Sequence, residues 1–551
     1  MSSAMDGPLD WYKDAVIYEV QVRSFCDTNG DGIGDLPGLL SKLDYLQRLG
    51  VTALWLLPHY PSPLRDDGYD IADYLGVHTD LGTLDDFKAV IAAAHARGLR
   101  VITELVLNHT SDQHPWFQRA RRAPAGSAER DVYVWSDSPD KYAGVRRIFP
   151  DYEDSNWEWD EVAQAYYWHR FFRSQPDLNF DSPWVQQALL EVVDFWFGLG
   201  VDGMRLDAVT YLYEREGTNC ESLPETHAFL RKLRAHVDAR FPGRMLLGEA
   251  NQWPEELVGY FGDDDECHMV YHFPAMPRLY MALAQEDRRP VVEILARTPA
   301  PPPSGQWATF LRNHDELTLE MVSEDERAFM LEVYAQDPRA KLNVGIRRRL
   351  APLLGGDRAK LELLNVLLFS LPGTPIVYYG DELGMGDELD LDDRDGVRTP
   401  MQWDASPSAG FSSAPPERLH LPVVSDPDYA PPAVNVAAQE GARGSLLEWT
   451  RRLISLRREL PVLARGGLQV HEPENQRVLA FVRGDSGEQL LVVANLASTP
   501  QRAELELPDH VGRALRDVFS GAVLPPLSGP TCSLELPGYG YRWLALGAPG
   551  A

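Results

Sequence analysis

The chain has 551 residues, 44% hydrophobic and 24% charged, which is the composition of a soluble globular protein too long for one core; one large domain with smaller ones is expected. Its 82 acidic against 52 basic side chains leave a formal net charge of -30, which repels phosphate backbones, and no Lys/Arg run interleaved with aromatics offsets it, so nucleic acid is excluded as a partner. No stretch approaches the roughly 20 apolar residues of a membrane helix, and the N-terminal MSSAMDGPLDWYKD lacks an apolar signal core, so no membrane partner and a cytoplasmic location are expected. Cys26, Cys220, Cys267 and Cys532 are far apart and form no CxxC pair, which reads as reduced, structural cysteine.

Apolar, β-branched runs separated by helical stretches predict parallel strands with crossover helices. In chain order they are 15–22, 52–58, 100–107, 203–208, 245–249, 269–273, 307–312 and 374–379. Eight repeats without a Gly-x-Gly-x-x-Gly phosphate loop favour an α/β fold of the closed (β/α)8 TIM-barrel type over a doubly wound sheet. The barrel is expected over 1–108 and 176–460. The Trp-, Tyr- and Asp-rich 109–175 reads as a small inserted domain after the third strand. Long insertions follow strands seven and eight, at 316–360 and 382–440. Past an amphipathic helix at 446–460, alternating runs at 478–482, 489–493 and 540–545 predict a C-terminal antiparallel β-domain over 461–551.

Three of the apolar runs end at acids: Gly203-Met-Arg-Leu-Asp207, Leu247-Gly-Glu249 and Arg312-Asn-His-Asp315. An acid at the C-terminal end of a buried strand must be hydrated, paired or catalytic, and three at one barrel end suggest a shared pocket. Retaining glycoside cleavage needs such a set, with one ionised carboxylate and one protonated acid roughly 5–5.5 Å apart. Arg205 shares a strand face with Asp207 and should keep it ionised, while Glu249, set among Leu246, Leu247 and Ala250, should be harder to ionise. A further segment, Asp27-Thr-Asn29-Gly-Asp31-Gly-Ile33-Gly-Asp35, spaces oxygen ligands like the first half of an EF-hand loop, without its closing Glu; an Asx/Gly turn without metal is the alternative.

Together with Glu104-Leu-Val-Leu-Asn-His109, these acid-bearing segments resemble the four signatures of the α-amylase superfamily (glycoside hydrolase family 13), in order and over almost the whole chain. The resemblance implies that Asp207 is a nucleophile, Glu249 the general acid/base and Asp315 a ligand of sugar hydroxyls, with His109 and His314 donating to the sugar. Glu104 stands where the family usually has Asp, and a packing adjustment without catalytic loss is expected. Asp66-Asp-Gly-Tyr69-Asp and Arg394-Asp-Gly-Val-Arg398 are similar to segments of the α-glucosidase branch, which implies that Asp66, Tyr69 and Arg398 enclose one glucose, Asp66 pairing with Arg398.

Glu249-Ala-Asn251-Gln-Trp253, Asp207-Ala208-Val209, Gln175-Pro-Asp-Leu-Asn-Phe180 and Tyr271-His-Phe-Pro-Ala-Met resemble the trehalose synthases of that branch. This implies interconversion of maltose and trehalose through a covalent glucosyl-Asp207, with minor hydrolysis to glucose. Asn251 and Trp253 would wall the freed glucose and 316–360 would be a lid against water. A hydrolytic α-glucosidase is the alternative. A non-catalytic scaffold of the transporter heavy-chain kind would lack the carboxylates and carry a membrane helix. The resemblance also implies structural Ca2+ at one or two sites: Asp27, Asn29, Asp31, the Ile33 carbonyl and Asp35, where Mg2+ is an alternative, and Asn108, Asp177, Glu214 and the carbonyls of Tyr211 and Leu212. No organic cofactor is expected, and a homo-oligomer is left open.

Overall fold

The computed structural model describes residues 9–485 and 487–547; the start of the N-terminal segment read for a signal and the last residues of the C-terminal domain lie outside the described residues. Eight parallel strands close into a barrel: β1 (Ile17–Val20), β2 (Ala53–Leu56), β3 (Arg100–Val106), β4 (Gly203–Asp207), β5 (Met245–Gly248), β6 (Met269–Tyr271), β7 (Gln306–Phe310) and β8 (Thr374–Tyr378), each paired with its chain neighbour and β8 returning to β1. Seven of the eight expected runs contain their strand, trimmed by a few residues at the ends; β7 begins one residue before its run, at Gln306. The strands are buried apart from Thr309 because helices cover the outside and side chains fill the inside, so they lack the alternation of a half-exposed strand.

Local chemistry fixes where the crossover helices begin. Leu36–Leu49 starts at Asp35, whose carboxylate accepts from the Gly38 N–H, and ends at Gly50, whose φ of 98° suits glycine. Leu84–Ala96 opens with a reciprocal capping box between Thr83 and Asp86. Among the described residues no helix is long and apolar enough to cross a membrane.

Within 109–175, Trp135–Ser136, Ala165–Trp168 and Trp157–Asp160 form a small antiparallel sheet. After β7, the two-residue strands Leu317–Thr318, Lys341–Leu342 and Gly345–Ile346 pair around the helix Glu324–Tyr334; the next barrel helix starts at Arg358, so the insertion closes slightly before Lys360. At the C-terminus, Val478–Gly484 and Gln489–Asn495 lie in a six-stranded sheet. One face of it (Leu479, Phe481, Val492) joins the barrel core, and the other (Val478, Val482, Val493) packs on the pair Gln501–Glu506 and Thr531–Leu536.

Candidate active site

Strand register delivers the central cluster. On β4, Arg205 and Asp207 point to one face while Met204 and Leu206 join the apolar core, and pairing with β3 sets Glu104 opposite Arg205. Arg205 is 1% exposed, and its guanidinium holds three carboxylates: Glu104 at 3.0 Å, Asp207 at 2.5 Å, and Glu249 through Nη2. Glu249 stands one residue past β5, where its backbone N–H donates to the Leu206 carbonyl at 3.0 Å and its Oε2 accepts from the Ala208 N–H at 3.0 Å. Ala208 adopts a left-handed conformation (φ 53°) to aim that N–H, at a cost of about 1–2 kcal/mol for a residue with a Cβ.

Burial pushes the Asp207 carboxyl up to about 6 against the pull of Arg205. Glu249 rises to about 7, by burial and the like charges of Asp207 and Asp315, with Arg205 again opposing. Asp207 is thus raised to the lower value of the two. One arginine serves both groups.

Glu104 is nearer the chemistry than its position in the chain suggested. Besides Arg205 it accepts from Trp55 Nε1 at 2.8 Å and from the Tyr69 hydroxyl at 3.0 Å, so it is a direct prop of two site residues and not a packing adjustment.

Asp315 lies on the turn after β7, beside His314 (3.1 Å), Arg394 (3.0 Å) and Arg398 (3.1 Å). Burial would raise its carboxyl, but His314 and the two arginines hold it well below the usual range. The Tyr69 ring stacks on His314 with centroids 5.4 Å apart, and its hydroxyl lies 2.8 Å from Nε2. His109 is buried and kept neutral at physiological pH, its pKa pushed down to about 3 by desolvation, and Gln175 Nε2 lies 3.2 Å from its Nε2.

The expected Asp66–Arg398 pair is not made. Arg394 meets Asp66 at 2.5 Å, while Arg398, its Nε held by the His314 carbonyl, pairs with Asp67 at 3.2 Å. The Asp395–Val397 turn separates the two arginines and gives them different carboxylates. Burial raises Asp66 to about 7, with Arg394 opposing, and Gln175 donates to its second oxygen at 2.8 Å.

Asp66, Tyr69, His109, Asp207, Glu249, Asn251 and Asp315 line one cavity of about 140 Å³, with Phe149, Phe171, Tyr211, Phe273, Glu320 and Arg394 among its other walls. That is small beside the roughly 300–1,000 Å³ of most ligand pockets. Trp253 is not among the residues lining it: it stands at the N-cap of the helix Pro254–Leu257 and packs against Arg297 and Arg278. Glu320, on the insertion after β7, takes up the other side, meeting Arg146 of the inserted domain at 3.0 Å and accepting from Asn251 Nδ2 at 3.0 Å. Arg146 also holds Glu221 at 2.7 Å and donates to the Tyr211 hydroxyl at 3.2 Å. Sequence reasoning missed Glu19, Arg146, Gln175 as a site residue, Glu320 and Arg394. Only Glu19, an acid inside an apolar strand, and Gln175 and Arg394, each within a quoted segment, carried a signal.

The two candidate cation positions differ. In the first loop Asp27 Oδ1 accepts from the Asn29 and Gly30 N–H groups, Oδ2 from that of Gly32, Asn29 from Asp31 and Asp31 from Ile33, while Asp35 caps a helix. Gly32 (φ 97°) is required there, since a Cβ would lie 2.1 Å from the Arg418 carbonyl. At the second, Asn108 Oδ1, Asp177 Oδ2 and Glu214 Oε1 are buried without a hydrogen-bond partner. Desolvation raises Asp177 to about 8 and Glu214 well above its ordinary value, the charge of Asp177 adding to the latter. Two adjacent buried carboxylates and an amide oxygen lacking donors are the donor set of a hard cation. Among the described residues no three His, Cys, Asp or Glu side chains form a metal cluster, so a cation at either place would need amide and carbonyl oxygens.

Residues 19–336 and 346–466 match the family described as alpha amylase, catalytic domain, and 468–543 match the maltogenic amylase C-terminal domain. The chain belongs to the α-amylase family. It is 54% identical over 552 residues to the trehalose synthase/amylase TreS of Mycobacterium tuberculosis (strain ATCC 25618 / H37Rv), covering 99% of this chain and 92% of that protein. It is 52% identical to the trehalose synthase of Pimelobacter sp. (strain R48), over 98% of this chain and 96% of the relative. The crystal structure of the trehalulose synthase MutB from Pseudomonas mesoacidophila MX-45 superposes with a TM-score of 0.78 at 31% identity, over 98% of this chain and 100% of that one. Family membership extends the barrel and its acids to a sugar-processing site.

Proposed function

We propose that this protein interconverts maltose and trehalose within one binding event, with slow hydrolysis to glucose as the side reaction. The similarity to trehalose synthases over nearly the whole chain supports it. The observation that carries the reading is the contact at one wall of the cavity, where Glu320 ties Arg146 of the inserted domain to Asn251.

The Asp207 carboxylate attacks the anomeric carbon of the non-reducing glucose as the bond to the leaving oxygen breaks, and the Glu249 proton passes to that oxygen. This leaves a glucosyl ester on Asp207, glucose with a free 4-hydroxyl, and an ionised Glu249. The glucose turns in the cavity. Its anomeric hydroxyl then attacks the anomeric carbon of the glucosyl ester, breaking its bond to the Asp207 oxygen, and gives its proton back to Glu249, so that Asp207 is released and trehalose forms. Water on the same path yields two glucose molecules, so the insertion after β7 acts as a lid whose task is to exclude water. Asp66, Arg394 and Asp315 bind the hydroxyls of the transferred ring and limit the pocket to one glucose. Incubation with maltose tests the reading: trehalose should form ahead of glucose, and glucose without trehalose would mean an α-glucosidase instead.

We further propose a structural Ca2+ held by Asn108, Asp177 and Glu214 with the Tyr211 and Leu212 carbonyls, and a second ion, Ca2+ or Mg2+, at the Asp27–Asp35 loop. Neither takes part in glucosyl transfer; a bound cation there would cancel buried negative charge and fix the inserted domain against the barrel. Chelation should lower the melting temperature by about 4 °C or more, with recovery on adding Ca2+, and an indifferent melting curve would remove both ions from the proposal. The four cysteines are free and buried, which supports a cytoplasmic location.

A further inference from the structure

Glu19 is an acid in the middle of β1, 0% exposed, facing the barrel interior. Its Oε1 accepts from the His314 backbone N–H at 3.1 Å and from Nδ1 at 2.5 Å. Oε2 has no partner, and among the described residues no lysine or arginine pairs with it. A buried carboxylate whose one ion-pair partner is a histidine is a costly arrangement unless that histidine carries charge.

The other side of the ring points to the same protonation state. His314 Nε2 lies 3.1 Å from Asp315 Oδ2 and 2.8 Å from the Tyr69 hydroxyl. That hydroxyl donates its single hydrogen to Glu104 Oε1 and therefore accepts from the imidazole. Both ring nitrogens thus face acceptors, and only the imidazolium donates from both.

The groups around the ring come from several elements. They are Glu19 on β1, Trp55 on β2 edge-on, Tyr69 stacked, Glu104 on β3, Arg205 on β4 reaching the Tyr69 hydroxyl at 3.3 Å, Asp315 beside it, and Arg398 donating to the His314 carbonyl. The negative groups in direct contact are Glu19 and Asp315, one on each side.

We infer that Glu19 is a positioning residue of glucosyl transfer: a buried counter-charge that keeps His314 an imidazolium, and through it keeps Asp315 aimed at the sugar hydroxyls. The inference deepens the transfer reading and rests on it only for the presence of a glucosyl ring over Asp315. Consistent with it, His314 is raised to about 9 by Asp315 and Glu19 despite desolvation that opposes the charge.

The sign of the pH effect follows. A raised histidine is lost as a cation when pH climbs through its value, so function that needs the imidazolium fails on the alkaline side. Maltose would hide this, because Glu249 must be protonated and loses its proton near 7. A 4-nitrophenyl α-glucoside avoids the overlap, since its leaving group departs with little help from an acid.

For the wild type, kcat/KM on that substrate should fall on the alkaline side near pH 9. Glu19→Gln keeps the shape and removes the charge, so the alkaline limb should move down by about one unit or more, a loss of about tenfold at the high end with little change near pH 6. In a His314→Gln background, Glu19→Gln should move nothing further. A Glu19→Gln profile superimposed on the wild type, or a second shift in the His314→Gln background, would overturn the inference even if the variant melts earlier. Should Glu19→Gln not accumulate as folded protein, His314→Gln decides: persistence of the limb near pH 9 would overturn the imidazolium. A wild type that releases nitrophenol but makes no trehalose sinks the isomerase reading and leaves Glu19 standing.

Discussion

The two sides of the cavity are built in different ways. The side proposed to cleave the bond is anchored in barrel strands: Arg205, Glu104 and Asp207 hold register on β3 and β4, Glu249 follows β5, and Arg205 is buried to 1% exposure while gripping all three acids. The side proposed to receive the leaving sugar is made of Arg146, Asn251 and Glu320, from three loops that the barrel hydrogen bonds do not tie together, with Arg146 39% exposed. A hydrogen-bonded barrel fixes geometry to fractions of an ångström, whereas ion pairs between loops open and close. Cleavage should therefore resist small perturbations, and the fate of the cleaved glucose should not.

The strongest way to break the comparison is at its rigid side. Asp207→Asn removes the covalent route shared by isomerisation and hydrolysis, so both should fall below about a hundredth of wild type together. Retained turnover of either in a glucose-release or trehalose assay would contradict one nucleophile for both.

The pH profile on maltose tests the same side without mutation. Asp207 must be ionised, so activity is lost as pH falls through about 6, and Glu249 must be protonated, so activity is lost as pH rises through about 7. A narrow bell between those values is expected for isomerisation and hydrolysis alike, and the apparent values belong to the interacting pair. Different bells for the two products would mean that they do not share the acid.

The rigid side was also the legible side. Strands announce themselves as apolar runs and acids stand at their ends, so Asp207, Glu249 and Asp315 were readable before any contact was known. Arg394 was not, because two arginines four residues apart in one loop segment look alike until a short helical turn sends one to Asp66 and the other to Asp67. Trp253 failed for the same reason, its neighbourhood being set by the helix that follows it. Glu320 and Arg146 lie in unrelated stretches of chain, and nothing local in either predicts that they meet. Glu104, expected only to adjust packing, has its surroundings set by its β4 neighbour, which brings the arginine to it.

The smallest expected effect lies on the loop side. Glu320→Gln preserves shape and leaves an acceptor for Asn251, but takes away the charge that draws Arg146 across the cavity. Such a partly exposed pair is worth about 1 kcal/mol or less, and a change of about 1 kcal/mol in the closed-to-open balance is roughly a fivefold change in how often water enters. The ratio of glucose to trehalose from maltose should therefore rise by up to about fivefold, while consumption of maltose, set by Asp207 and Glu249, stays nearly constant. Added salt should push the wild type the same way and the variant less, because the pair it screens is already gone. If the ratio holds still in Glu320→Gln while Asp207→Asn is dead, the loops are scaffolding and water is excluded by the aromatic walls at Phe149 and Phe171 instead.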